Sequence, residues 1–187
     1  MLRRNAFLVI ILLTAANFCI AQLQPVRYSG MINTGAVFGS NNTKLQVQTI
    51  HGIRSGAWAI GAGVAIDDYF LQSFPVFIDL RRDIFDTKSG PFVYAEGGIN
   101  LVGKDHENNY EKIDNKAGAF YEGGIGYKIG LNGQLAFNIA AGYSYKGYKD
   151  EMSGSMWYVP VDGNYSGGST SNRYALRRLV LKIGLQF

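Results

Sequence analysis

The end of the chain, residues 174–187, alternates between apolar positions and polar or small ones. The apolar positions of one parity are Leu179, Leu181, Ile183, Leu185 and Phe187. The other parity carries two positive charges, on Arg178 and Lys182. A period of two predicts a β-strand, not a helix. Such a strand suits a soluble sandwich that buries the apolar face, or a closed barrel that turns this face toward lipid.

A similar alternation recurs in earlier segments of about ten residues each. These segments are residues 28–38, 44–53, 58–66, 73–81, 92–101, 117–129 and 134–146. Turn residues separate them, among them the pair Asn132-Gly133, which accepts the positive φ angles of a tight hairpin. With the terminal strand the count is eight. We therefore predict an all-β fold, an eight-stranded antiparallel up-and-down transmembrane β-barrel.

The composition favours a membrane barrel over a soluble one. Charged residues make up 17% of the chain, whereas soluble domains typically have about 25%. The net charge of +4 is too small to predict a nucleic-acid partner. A soluble lipocalin-like barrel stays open as the alternative fold. It would turn the apolar faces inward and leave Glu96, Glu122, Arg178 and Lys182 outside.

The connections between the predicted strands differ in length at the two ends. One end carries residues 54–57, 82–90 and 131–133, and the other carries 39–43, 67–72, 104–116 and 147–172. Short periplasmic turns and longer extracellular loops are typical of outer-membrane barrels. Outward aromatic residues also cluster near both ends, which predicts two interfacial belts. These residues are Trp58, Phe137 and Phe187 at the short end and Phe38, Phe74, Tyr121, Tyr143 and Tyr145 at the other.

Residues 1–21 predict a secretory signal peptide. Arg3 and Arg4 precede an apolar run at residues 6–16, and Ala21 ends a small-residue cleavage site. We therefore place the barrel domain at residues 22–187. A membrane anchor is disfavoured because the run is short and no basic stop follows it. Cys19, the single cysteine, would be removed with this segment, so disulfides are not expected.

Several strings resemble the small eight-stranded outer-membrane barrels of Gram-negative bacteria, the OmpA/OmpX-like group of the porin superfamily. The strings are residues 61–66, 74–81, 121–127 and 141–145, with the terminal Phe187. The string Phe-Pro-Val-Phe-Ile-Asp-Leu-Arg at 74–81 is similar to Bacteroidota-type outer-membrane barrel domains. The resemblance implies residence in the cell outer membrane, in contact with its lipid. No peptidoglycan-binding domain follows the barrel, so wall anchoring through one is not expected.

The resemblance also implies partners. The barrel-assembly machinery would recognise the terminal positions Leu181, Ile183, Leu185 and Phe187. We expect a monomer, no cofactor and no nucleic-acid partner.

Charged side chains fall on the inward parity of several strands. They are Asp79, Arg81, Glu96, Glu122, Lys128, Arg178 and Lys182. An eight-stranded barrel is just wide enough for side chains to fill it, and an unpaired buried charge costs several kcal/mol. We place Glu96, Glu122, Arg178 and Lys182 at mid-strand and predict an ion-pair network that plugs the lumen. A gated narrow channel is the alternative that assigns the lumen a more specific function.

The function predicted is a structural or surface-binding barrel, not an enzyme. Hydrolysis would need a Ser–His–acid group or paired acids, and neither His51 nor His106 has such a motif around it. The acidic residues near His106 match no calcium-loop spacing. Met156, Trp157 and Tyr158 lie in the longest connection and are candidate surface contacts. A small-solute channel and a lipid-directed barrel enzyme stay open as alternatives.

Overall fold

The computed structural model describes residues 24–39, 43–68, 72–102, 106–108, 111–131, 133–154 and 168–187. The strands are β1 (Arg27–Phe38), β2 (Thr43–Ser55), β3 (Trp58–Asp68), β4 (Gln72–Asp83), β5 (Gly90–Val102), β6 (His106–Asn108), β7 (Glu111–Lys116), β8 (Gly118–Gly130), β9 (Ala136–Gly154) and β10 (Gly168–Gln186). Across these ranges there is no helix with the length and apolar character needed to cross a membrane. The predicted signal peptide, residues 1–21, lies outside the described residues.

Eight of the strands close into one antiparallel barrel. Their order around the wall is β1, β2, β3, β4, β5, β8, β9 and β10. The last strand pairs back onto the first, from Met31 opposite Gln186 to Phe38 opposite Leu179. Closure removes the free edges that an open sheet would expose. The predicted fold class, an eight-stranded antiparallel up-and-down barrel, is confirmed.

The strands wind around the barrel with a marked tilt. Following direct register partners once around the ring leads from Phe38 back to Tyr28 of the same strand, ten residues earlier. With about 3.3 Å per residue and about 4.8 Å between strands, this stagger gives a tilt of about 40°. A row of register partners therefore climbs around the wall, and its members lie at different depths.

In the barrel strands, the alternate positions that carry apolar side chains face outward, and the positions that carry polar side chains face the lumen. In β10, Leu179 and Leu181 are 65% and 52% exposed, whereas Val180 and Lys182 are 1% and 4% exposed. The soluble lipocalin-like alternative requires the opposite arrangement and is therefore wrong. An outer surface this apolar is stable in contact with lipid, not water.

Aromatic side chains lie on the outer surface at both ends of the barrel. Trp58 is packed under the Arg82 guanidinium, which lies 5.1 Å from the ring centroid. At the opposite end, the rings of Tyr121 and Tyr145 are 6.3 Å apart. Rings at two levels, about one strand length apart, match the depth of two membrane interfaces.

Short turns join the strands at one end, which we call the short-turn end. Two of these turns, β2–β3 and β8–β9, contain glycines with positive φ, Gly56 at 55° and Gly133 at 72°. Only glycine adopts this conformation at no steric cost, which explains its place in these hairpins.

The opposite end, which we call the long-strand end, is more ordered than the sequence predicts. Residues 104–116 were expected to form a loop, yet β6 and β7 form a hairpin there. Residues 147–172 were also expected to be a connection, yet β9 continues to Gly154 and β10 begins at Gly168. β7 pairs with the outer part of β9, from Lys116 opposite Lys149 to Glu111 opposite Gly154. A four-stranded sheet, ordered β10-β9-β7-β6, therefore extends beyond the barrel.

Candidate functional site in the barrel lumen

Three carboxylates face the lumen on three adjacent strands and in one register row. Asp79 of β4 is the direct partner of Glu96 of β5, and Glu96 is the partner of Glu122 of β8. All three residues are buried, with 2%, 3% and 4% exposure. Like charges repel strongly in a low-dielectric interior, so this acidic row requires cations beside it.

Lys182 of β10 reaches into the acidic row. Its Nζ donates to Oε1 and Oε2 of Glu96 at 3.2 and 3.3 Å and also contacts Oε1 of Glu122. The same ammonium group donates to Oε1 of Gln48 at 2.8 Å. Gln48 in turn donates from Nε2 to Oε1 of Glu96 at 3.1 Å. Side chains from β2, β5, β8 and β10 are thereby joined across the lumen.

Arg81 and Tyr94 complete this group. Nε of Arg81 lies 3.0 and 2.9 Å from the two carboxylate oxygens of Asp79, and its Nη2 lies 3.6 Å from Oε1 of Glu96. The Tyr94 hydroxyl donates to Oε1 of Glu122 at 3.1 Å, and the Arg81 guanidinium lies 5.3 Å from the Tyr94 ring centroid. We call Gln48, Asp79, Arg81, Tyr94, Glu96, Glu122 and Lys182 the central cluster.

Apolar side chains fill the lumen beside the central cluster. Phe77 and Phe120, 2% and 0% exposed, pack with ring centroids 5.4 Å apart. Met31, Ile50 and Ala65 complete their packing group. Two lumen cavities have volumes of about 10 Å³ each, one of them bordered by Asp79 and Arg81 of the central cluster. A space of that size holds one water molecule at most, so neither cavity offers a path for a solute.

A second polar group lies toward the short-turn end. Asp83, two positions beyond Arg81 on the same face of β4, accepts a hydrogen bond from Nη1 of Arg54 at 2.6 Å. Nζ of Lys128 contacts the same carboxylate oxygen. A small cavity bordered by Arg54 and Arg81 lies between this group and the central cluster.

A third polar group lies toward the long-strand end. Lys146 of β9 forms an ion pair with Asp67 of β3, and its Nζ lies 5.4 Å from the Phe120 ring centroid. Arg178 borders a small cavity with Asp67, Ser144 and Lys146. The lumen is thus crossed by charged groups at three depths.

The inward charges predicted from the sequence are divided among these three groups. The central cluster contains Asp79, Arg81, Glu96, Glu122 and Lys182, whereas Lys128 and Arg178 lie at opposite ends of the lumen. Arg178 shares a register row with Glu122 through Ser144, but the strand tilt carries it toward the long-strand end. Lys182, four residues further along β10, is the residue that reaches Glu122.

Several polar residues of the lumen were missed in the sequence. Gln48 and Tyr94 carry no formal charge, and Arg54, Asp67 and Asp83 were assigned to turns. Asp67 and Asp83 do keep the inward parity of their strands. Extending each predicted strand by one or two residues is the signal that indicates them.

The remaining candidate residues lie elsewhere. The proposed assembly positions Leu181, Ile183, Leu185 and Phe187 are on the outer face of β10 or at its end. His51 is exposed on the outer surface, with Nδ1 2.5 Å from the Tyr28 hydroxyl and Nε2 3.0 Å from the Thr49 hydroxyl. Neither contact is to a carboxylate.

The structure gives less information on the two remaining candidate sites, His106 and residues 156–158. His106 belongs to β6, opposite Ile113, and Met156, Trp157 and Tyr158 lie outside the described residues. Among the residues that are described, no group of three His, Cys, Asp or Glu side chains is placed to hold a metal ion.

Comparison with known proteins supports the fold of this chain but does not indicate its activity. The sequence matches no protein-family model and no curated protein. The crystal structure of the outer membrane protein OprG from Pseudomonas aeruginosa is similar, with a TM-score of 0.56 and 9% identity over 89% of this chain and 98% of that one. The solid-state NMR structure of the outer membrane protein AlkL in DMPC lipid bilayers is also similar, with a TM-score of 0.53 and 14% identity over 89% and 92% of the two chains. This chain therefore has the fold of small outer-membrane β-barrels.

Proposed function

We propose that the protein is an integral outer-membrane β-barrel with a closed lumen, whose long-strand end presents a binding surface outside a Gram-negative cell. The observation that carries the proposal is the central cluster, which spans the lumen of a barrel with an apolar outer surface. The partner around the wall is outer-membrane lipid, and the protein acts as a monomer. The fold neighbours and the sequence resemblance support this placement.

Export and insertion follow from the same placement. Residues 1–21 act as a signal peptide cleaved near Ala21, and the barrel-assembly machinery reads Leu181, Ile183, Leu185 and Phe187 at the end of β10. The proposed relatives are the OmpA/OmpX-like barrels, on the strength of the strings at 61–66, 74–81, 121–127 and 141–145, and the string at 74–81 supports a Bacteroidota-type origin.

The closed lumen has an energetic basis. An axial path would have to separate Lys182 from Glu96 and Glu122, all of which are buried. Leaving one partner of a buried ion pair uncompensated costs about 3–5 kcal/mol. A cost of about 3 kcal/mol corresponds to roughly a hundredfold preference for the closed arrangement. The barrel interior therefore acts as a scaffold and not as a pore.

The surface-binding role is supported by the long-strand end. β9 and β10 have 19 residues each, whereas about 9–11 residues suffice to cross a membrane as a tilted strand. The extra length continues as the sheet β10-β9-β7-β6, and Tyr148 stacks on Tyr174 at 4.6 Å beside its first β7–β9 pair, Lys116 and Lys149. Residues 155–167, which include Met156, Trp157 and Tyr158, connect the outer ends of β9 and β10. These three side chains are the proposed surface contacts.

The proposal is tested by conductance in planar lipid bilayers. The refolded wild-type chain is expected to give no ion steps above the lipid background. A variant that removes bulk and charge together, F77A/E96Q/E122Q/K182A, is expected to give steps, because it leaves Glu96 and Glu122 without a charge that needs Lys182. Conductance by the wild-type chain would overturn the closed-lumen proposal in favour of a narrow small-solute channel.

A further inference from the structure

A cavity of about 240 Å³ opens at the short-turn end of the barrel. The ends of β1, β2, β8, β9 and β10 form its wall, together with residues of the β4–β5 and β8–β9 turns. Four basic side chains line it: Arg27, Arg54, Lys88 and Lys128. They come from four separate parts of the chain, so the basic character is visible only in the folded barrel.

Acidic groups balance only part of this charge. Oδ2 of Asp83 contacts both Arg54 and Lys128. In the described part of the chain, Arg27 and Lys88 form no ion pair. The four cations outnumber the single carboxylate of Asp83, so positive charge remains in excess. A cleft of one sign with a low-dielectric wall concentrates ions of the opposite sign.

The side chains at the cavity indicate the class of anion. Arginine guanidinium groups match the oxygens of a phosphate in a two-pronged arrangement, and lysine adds a point charge. Leu131, Leu135 and Phe187 line the same cavity and are 47%, 48% and 37% exposed. Cations beside an apolar rim suit the headgroup of a phospholipid, whose phosphate lies next to acyl chains.

We propose that this cavity is a binding site for a phosphate group, contributed by a phospholipid headgroup or by a free phosphate compound. Arg27 and Lys88 supply the uncompensated charge, and Arg54 and Lys128, which both contact Asp83, line the same cavity. The periplasmic location of the site rests on the orientation proposed above, whereas binding of phosphate by the cavity does not.

The test is calorimetric titration of the refolded full chain in dodecyl maltoside, a phosphate-free detergent, at low salt. The probes are inorganic phosphate and short-chain phosphatidylglycerol. The variant R27Q/K88Q removes both uncompensated cations and leaves the Asp83 ion pairs intact. The control is Arg82→Gln, because Arg82 lies at the same end but stacks on Trp58 at the outer surface.

We expect the double variant to bind at least tenfold more weakly than the wild type, and the control to bind as the wild type does. Loss of binding to both probes supports a site for the phosphate group itself. Loss confined to phosphatidylglycerol assigns the site to lipid headgroups, and loss confined to inorganic phosphate assigns it to free phosphate. The proposal is overturned if neither probe binds, or if the folded double variant binds both as tightly as the wild type.

Discussion

At the scale of the residue, Lys182 contacts two carboxylates at once. Glu96 and Glu122 face its ammonium group from neighbouring strands, and Arg81 is the other cation of the central cluster. By formal charge the cluster has three acids and two bases. Loss of either base therefore leaves buried acid without compensation, which is far more costly than loss of a surface charge.

Replacement of Lys182 by Met should lower the free energy of unfolding by about 3–5 kcal/mol, because two buried carboxylates lose their cation. Urea unfolding in detergent, followed by tryptophan fluorescence, measures the effect. Lys149→Met on the exposed part of β9 serves as control and should change little. The triple variant E96Q/E122Q/K182M should recover most of the loss. An unchanged midpoint for the single variant would contradict the role given to Lys182.

Two adjacent glycines of β5 make a matched pair for testing close strand packing. A Cβ atom at Gly98 would overlap the Val76 carbonyl of β4, whereas one at Gly97 would meet only the Tyr121 ring, 3.7 Å away. Gly98→Ala should therefore lower the free energy of unfolding by about 1–3 kcal/mol. Gly97→Ala should be neutral or slightly stabilising. Equal effects in urea unfolding would show that β4 and β5 do not approach as closely as described.

At the scale of the element, the strands that cross the lipid were predictable, and the strands beyond it were not. Inside the barrel each strand separates an apolar exterior from a polar lumen, and this contrast produces the alternation in the sequence. β7 pairs with β9 only beyond the barrel wall, where a strand has no lumen face, so this contrast is not expected there. β6, β7 and the outer parts of β9 and β10 therefore read as polar loops. The same loss of contrast at strand ends concealed Asp67 and Asp83.

Replacement of residues 103–116 by a short Asn-Gly turn should remove β6 and β7 and leave the barrel folded, because β7 pairs with β9 only beyond the barrel wall. A folded band that shifts on boiling, seen by gel electrophoresis, checks the result. A single residue inserted between Gly123 and Gly124 provides the contrast. That insertion reverses every later face of β8 and should abolish the folded band. Loss of the band in the first variant would mean that the hairpin is required for closure.

At the scale of the whole molecule, the stagger of the barrel determines which residues meet. The sequence predicts whether each charged residue faces inward or outward, since this depends only on its position within its own strand. The depth of each residue along the barrel axis could not be predicted. It depends on the ten-residue offset around the ring, which appears only when the barrel closes. This is why Arg178 was grouped with Glu96, Glu122 and Lys182 although it lies toward the long-strand end. Gln48 and Tyr94 were omitted for a different reason, because neither carries a formal charge and only the folded barrel shows the carboxylate that each contacts.

The proposed orientation predicts which end of the molecule can be labelled on intact cells. A cysteine introduced within residues 155–167 should react with a membrane-impermeant maleimide, because this segment connects strands that extend beyond the long-strand end. A cysteine at Gln134, in the β8–β9 turn, should react only after the outer membrane is permeabilised. The reverse pattern would show that the barrel is inserted with its short-turn end outside. Both variants should retain the boiling-dependent band shift.

The long reach of Lys182 also has a consequence for the order of events during folding. Its partners Glu96 and Gln48 precede it by 86 and 134 positions, so these contacts form only when strands far apart in the sequence have come together. Until β10 docks between β9 and β1, the acidic row of β4, β5 and β8 lacks one of its two cations and must stay hydrated. We therefore expect this water to leave the lumen in the last step of barrel closure, when β10 pairs with β1. Before that step the lumen is hydrated.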